Sequence, residues 1–187
     1  MRKLQVGDTL YHASYVEIRN IDLSKCSDGK DFGHGFYVTS SVEQAKAFVP
    51  SSVRRAIAKK MIAADTAYGY INVYRVDIVE HLTEYDFTDA DKAWLHYVAG
   101  NRDSSFFTDE VESLAKYNVI GGKIANDQTS AALNQYIGFS FGEPGSADAD
   151  DFCIKKLLPN RLKDQYCFKD EAAITSLKFI DVIRVEI

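Results

Sequence analysis

The stretch "DFGHGFYVTSSVEQAKAF", residues 31–48, constrains the fold of this chain more than any other. Two glycines flank His34, an aromatic pair enters a strand-like run, and helical spacing follows at once. Glycine suits backbone that must turn tightly or approach a neighbour closely. The helical pattern continues as "SVEQAKAFVPSSVRRAIAKKMIAAD". Pro50 predicts an end or kink near Val49, because proline lacks an N–H and crowds the preceding turn.

Alternation in "DTLYHASY", bounded by Gly7 and Asp8, predicts an opening strand. The polar, turn-rich "EIRNIDLSKCSDGK" reads as a short helical turn within a loop, and "AYGYINVYRVDIV" alternates as a second strand. "DKAWLHYVAGNR" has a helical pattern that Gly100 is expected to close, since a left-handed cap suits glycine. "YNVIGGKIAND" predicts a short buried strand ending in a glycine turn. "SAALNQYIGF" and "DDFCIKKLLPNR" read as helices around a "GEPGSADAD" connector, followed by the strands "QYCF" and "LKFIDVIRVEI". Interleaved strands and helices, with hairpin-like pairs late, predict an α+β fold. At 187 residues the chain suits a single domain, 1–187.

Composition narrows the function classes. With 46% hydrophobic and 12% aromatic residues the chain can fill a core. A net charge of −5 argues against coating nucleic acid by bulk electrostatics. Cys26, Cys153 and Cys167 are odd in number and form no CxxC pair, so buried thiols in a reducing cytoplasm are expected. Neither a secretory leader nor an apolar span of membrane length is legible, which predicts a cytoplasmic protein without membrane contact. His12, His34, His81 and His96 lack zinc-site spacing, so no metal is expected. The G-x-S-x-G elbow and the P-loop are absent, and "GHG" lacks the third glycine of a dinucleotide fingerprint. The cations of "RRAIAKK", Arg54, Arg55, Lys59 and Lys60, read first as a solvated helix face, with docking of an acidic or nucleic-acid target as the alternative.

What remains is a constellation at long range: "YHAS", "KDFGHGFYVTS" and "DQYCFKDEAAITSLKF". In this order they resemble the ADP-ribosyltransferase superfamily, in the His-Tyr-Glu branch of diphtheria toxin and the poly-ADP-ribose polymerases. That branch carries His-Gly-[Ser/Thr] on its first strand, Gly-x-Gly-[Ile/Leu/Phe]-Tyr at its second motif and a Glu near the start of a late strand. "YHAS" matches the first with alanine replacing glycine, "GHGFY" matches the second fully, and Gln165 stands where the glutamate is expected. The whole pattern is similar to a bacterial family of unknown function placed in that superfamily.

The resemblance implies a split β-sandwich with NAD as co-substrate in the cleft between its sheets. His12 would hydrogen-bond the adenosine ribose, while Ser14 and the Ala13 backbone would hold the carboxamide. Tyr37 and Phe48 would sandwich the nicotinamide. Gly33 and Gly35 would let the backbone approach the ligand, with Thr39 beside them. His12, Tyr37 and Gln165 are the catalytic candidates, and Arg102, Asn126 and Asp127 supporting ones; Asn101 lies in the same context. His34 is expected to face solvent. A glutamine at 165 drops the negative charge that would stabilise a cationic transition state. Asp127, Asp164 and Glu171 are candidates to supply it. Mono-ADP-ribosyl transfer to an unknown protein, nucleic-acid or small-molecule acceptor is implied rather than chain elongation. A toxin of a toxin–antitoxin or phage-defence system, with an antitoxin protein as partner, fits the resemblance. A non-catalytic module that binds NAD or ADP-ribose is the alternative.

Overall fold

A computed structural model describes residues 3–124, 127–157 and 164–187. Asn126 and the side chain of Asp127 lie outside the described residues.

The strands are β1 (Thr9–Ser14), β2 (Phe36–Val38), β3 (Tyr68–Val76), β4 (Glu84–Asp86), β5 (Val119–Lys123), β6 (Asp164–Phe168) and β7 (Leu177–Glu186). The helices are α1 (Val42–Ala58), α2 (Lys92–Arg102), α3 (Thr108–Ser113), α4 (Asp127–Ile137), α5 (Ala147–Leu157) and α6 (Glu171–Ile174), with a short 3-10 turn at Leu23–Lys25. The fold is mixed α+β with two sheets, ordered β1-β3-β7 and β2-β6-β5-β4.

The two late strands do not pair with each other. β6 runs between β2 and β5, whereas β7 pairs with β3. The sheets meet where Tyr11 on β1 exchanges backbone hydrogen bonds with Thr39, at 2.8 and 2.9 Å. Leu10, Phe36, Tyr74, Val119 and Phe168 form the apolar layer shared by the sheets. Trp94, Leu133, Tyr136 and Phe32 fill a second core beside α2, α4 and α5.

Helix α1 crosses Pro50 without ending there, and Ser41 caps its start by accepting from the Gln44 N–H. Ala45, Val49, Val53 and Ala56 are buried, and with Ile71 and Val185 they form a third core that holds the helix against the first sheet. Packing of that face outweighs the missing backbone bond at proline.

Gly100 does not close α2, which continues to Arg102. A Cβ at Gly100 would stand 2.8 Å from Val111 Cγ2 and 2.9 Å from the Phe106 carbonyl oxygen, so its glycine serves close packing against α3. Helix α5 starts at Ala147, inside the expected connector, and its described part ends at Leu157.

Candidate functional site

Strand alternation decides which side chains can meet. Tyr37 pairs with Cys167 across the β2–β6 ladder, so both point to one face of the second sheet. Gln165 stands two residues before Cys167 on β6 and shares that face. On β1, the backbone groups of Tyr11 turn away from β3 toward Thr39. Antiparallel pairing alternates, so Ala13, two residues on, also directs its N–H and C=O away from β3.

These elements border an open cleft of about 1060 Å³. Its walls include His12, Ala13, Ser14, Gly35, Tyr37 and Thr39, together with Phe48 from α1 and Gln165 from β6. Arg102 also reaches it, from the end of α2. The structure thus gathers on one cavity most of the residues singled out in the sequence.

His12 is fixed by two contacts. Its ring stacks on Phe36 with centroids 4.4 Å apart, and Nδ1 lies 2.6 Å from the Tyr37 carbonyl oxygen. A carbonyl only accepts, so Nδ1 carries the proton and Nε2 is the acceptor. Burial pushes the imidazole pKa below its ordinary value, against the opposing effect of the Tyr37 hydrogen bond. His12 is therefore a neutral acceptor at neutral pH.

Tyr37 has its hydroxyl occupied. It donates to the Gly33 carbonyl at 2.7 Å and accepts from the Phe32 N–H at 2.9 Å. Burial raises the phenol pKa well above its usual value. The side chain offers the cleft an immobilised neutral ring, with Phe32 stacked alongside at 6.4 Å.

The two glycines serve the protein before they serve any ligand. A Cβ at Gly35 would lie 2.5 Å from Cys167 Sγ and 2.6 Å from the Phe168 carbonyl oxygen. Gly33 has φ +83, and a Cβ there would meet Asn101 Oδ1 at 2.6 Å. Gly33 itself lies off the cleft wall. Asn101 donates to the Tyr97 carbonyl, also off the wall. The intervening His34 is exposed, with Nδ1 2.9 Å from Asp28.

Thr39 is buried and donates to the Asp164 carbonyl at 3.0 Å, while Ser14 Oγ accepts from the Val16 N–H. Phe48 is 38% exposed, and the Arg55 guanidinium sits 4.9 Å from its ring centre. Asp164 pairs with Lys123 at 2.8 Å, and neither it nor Glu171 borders the cleft. Neither is placed to replace the absent glutamate.

Asp31 was missed in the sequence and is the central carboxylate of the site. It borders the cleft at 8% exposure. Its Oδ1 accepts from Arg102 Nε and Nη2 at 2.9 and 2.6 Å, and its Oδ2 accepts from Gln165 Nε2 at 3.2 Å. Arg102 also donates to Ser130 at 3.2 Å. The only sequence signal was its place just before the Gly-x-Gly turn, which has no meaning until β6 and α2 arrive beside it.

Gln44 was missed as well. It lines the cleft near the start of α1, its Nε2 donates to the Asp164 carbonyl, and its Oε1 is sealed from solvent without a donor among the described residues. Of the basic run, Arg55 and Lys59 border the cleft, joined by Lys30. Burial, and the neighbouring Arg55, lower the Lys30 pKa. No carboxylate pairs with Lys30, Arg55 or Lys59 among the described residues, so the acidic chain has one positively charged cavity wall. All four cations of the run, Arg54, Arg55, Lys59 and Lys60, are exposed, as expected of a solvated face, and two of them also border the cleft.

A family model matches residues 9–179, described as "Protein of unknown function (DUF3990)". The chain belongs to the DUF3990 family. The matched span runs from the start of β1 into β7 and so includes every cleft residue named above. No curated protein and no solved structure matches the chain. Among the described residues, no three His, Cys, Asp or Glu side chains converge as a metal ion would need. No described helix is long and apolar enough to cross a membrane.

Proposed function

We propose that this DUF3990 protein is an NAD-dependent mono-ADP-ribosyltransferase with its co-substrate in the cleft between the two sheets. The observation that carries this reading is the convergence of His12, Tyr37 and Gln165, from three strands, on one cavity of dinucleotide size. His12 Nε2 accepts from an adenosine-ribose hydroxyl. The outward N–H and C=O of Ala13 pair with the nicotinamide carboxamide, a donor–acceptor group of matching pattern. The immobilised ring of Tyr37 stacks on the nicotinamide, a contact of about 0.5–1.5 kcal/mol. Lys30, Arg55 and Lys59 face the pyrophosphate.

In the reaction the bond between ribose C1′ and the nicotinamide nitrogen breaks, and its electron pair leaves with neutral nicotinamide. The acceptor's nucleophile bonds to C1′, and its proton passes to solvent. The protein contributes orientation and placement of charge around a cationic ribose. The acceptor is a protein, a nucleic acid or a small molecule. A toxin held in check by an antitoxin protein is the biological setting that suits such an activity.

A second reading is favoured by the amide at position 165: the cleft binds NAD or ADP-ribose without turnover. One assay separates the two. The purified protein is incubated with NAD and free nicotinamide is followed, with His12→Ala and Tyr37→Ala as controls. Release lost in both variants supports the transferase. Calorimetric binding without release supports the module, and no binding at millimolar NAD overturns both.

A further inference from the structure

We propose that Asp31 is a positioning residue: it fixes the Gln165 amide so that the carbonyl oxygen, and not the NH2 group, faces the substrate. The identity of that substrate rests on the transferase reading above.

A carboxylate accepts hydrogen bonds, and the two ends of a glutamine amide have opposite capacities. Asp31 carries two charge-assisted bonds from Arg102 on Oδ1, which hold it oriented. Its Oδ2 then selects the donor end of Gln165, at 3.2 Å. Both residues are more than nine-tenths buried, which limits the exchange of either group with bulk water. The Gln165 Oε1 atom has no protein donor among the described residues and is not sealed from solvent, so it opens onto the cleft.

The consequence is a sign. A carbonyl oxygen directed at a developing ribose cation presents the negative end of its dipole, whereas an NH2 group would present the positive end. Gln165 Oε1 also accepts from a ribose hydroxyl, which an NH2 group cannot do. Donation of the amide N–H to an anion polarises the carbonyl further, because hydrogen-bonded chains reinforce one another. Part of the charge that Gln165 lacks is thereby supplied through it, from a residue 134 positions earlier in the chain.

The test uses the full chain and follows nicotinamide release. Release by the wild-type protein is measured first, and its absence overturns the transferase reading itself. Asp31→Asn keeps the shape and an acceptor for Arg102 but allows the amide of Gln165 to turn over. We expect kcat to fall roughly 10- to 100-fold, with KM for NAD changed less than about threefold, as for loss of one charge-assisted contact. Gln165→Glu in the wild-type background also lowers kcat, since two carboxylates at contact distance cannot both ionise. In the Asp31→Asn background the same substitution raises kcat, because the pair again holds one carboxylate and one amide.

This reversal of sign is what a merely structural Asp31 would not produce. Equal kcat for Asp31→Asn and wild type, or a Gln165→Glu effect of the same direction in both backgrounds, overturns the proposal while leaving the transferase reading intact. Should Asp31→Asn fail to fold, the comparison of Gln165→Glu with the double variant still decides: a double variant no faster than Gln165→Glu refutes it.

Discussion

Replacing Gly35 by alanine probes whether the Gly-x-Gly turn exists for the sheet or for a ligand. The added Cβ would stand 2.5 Å from Cys167 Sγ and 2.6 Å from the Phe168 carbonyl oxygen. Ordinary contact begins near 3.4 Å, so atoms must part by roughly 0.9 Å (3.4 minus 2.5). The thiol can shift a little, but the Phe168 carbonyl belongs to β6 and cannot. Phe36 and Tyr37 pair with Phe168 and Cys167, so β2 must lift from β6 and weaken that ladder. Overpacking of about 1–3 kcal/mol plus about 1 kcal/mol for a weakened ladder bond gives a loss of roughly 2–4 kcal/mol. For a chain of this size that lowers the Tm by about 5–15 °C. Urea unfolding followed by circular dichroism measures it, with unchanged m-value as the check on two-state behaviour. Stability within about 0.5 kcal/mol of wild type would refute the steric reasoning, that being the scatter of harmless surface substitutions. Movement of β2 also carries the Tyr37 carbonyl away from His12, so NAD binding is expected to weaken in the same variant.

Two further outcomes follow from charge. Asp150 is 1% exposed and accepts from His96, Tyr136 and Gly145 while pairing with Lys92. Burial alone would raise its pKa, but the bonds from Tyr136, Lys92 and His96 outweigh it and hold the carboxyl below 3.8. A depressed folded pKa stabilises above the unfolded value and is lost as pH falls through the folded one. Asp150→Ala should therefore lose about 3–5 kcal/mol at pH 7, the cost of breaking a buried pair, with a gap from wild type that narrows below pH 3.8 in acid-unfolding curves. For His12 the burial-lowered pKa predicts NAD binding that is flat above pH 6.5 and declines only below it, as protonation of Nε2 removes the acceptor. Calorimetric titration across that range tests this, and a decline centred above pH 6.5 would contradict it.

Much of the architecture was legible in the sequence because it is local. Alternation marks β1 and β3, apolar spacing marks α1, and both follow from geometry within a few residues. The motifs around His12, Tyr37 and Gln165 were likewise visible as residue types in order. Position within tertiary structure decided the rest. Pro50 sits inside a helix because the face beneath it is buried, and Gly100 serves a contact with α3 that helical spacing cannot reveal. The late strands β6 and β7 look like a pair in sequence but enter different sheets, a matter of long-range hydrogen bonding.

The same division holds within the site. Residue types in order were enough to mark an imidazole, a phenol ring and an amide at three separated motifs as candidates for chemistry. Only the tertiary structure brought Asp31 and Arg102 to the amide of Gln165, placed Lys30 beside Arg55 and Lys59, and tied the Tyr37 hydroxyl to the turn before it. Residue type sets what a group can donate or accept. Its partner sets which way it points, and partners separated by more than a hundred residues meet only when the sheets have formed.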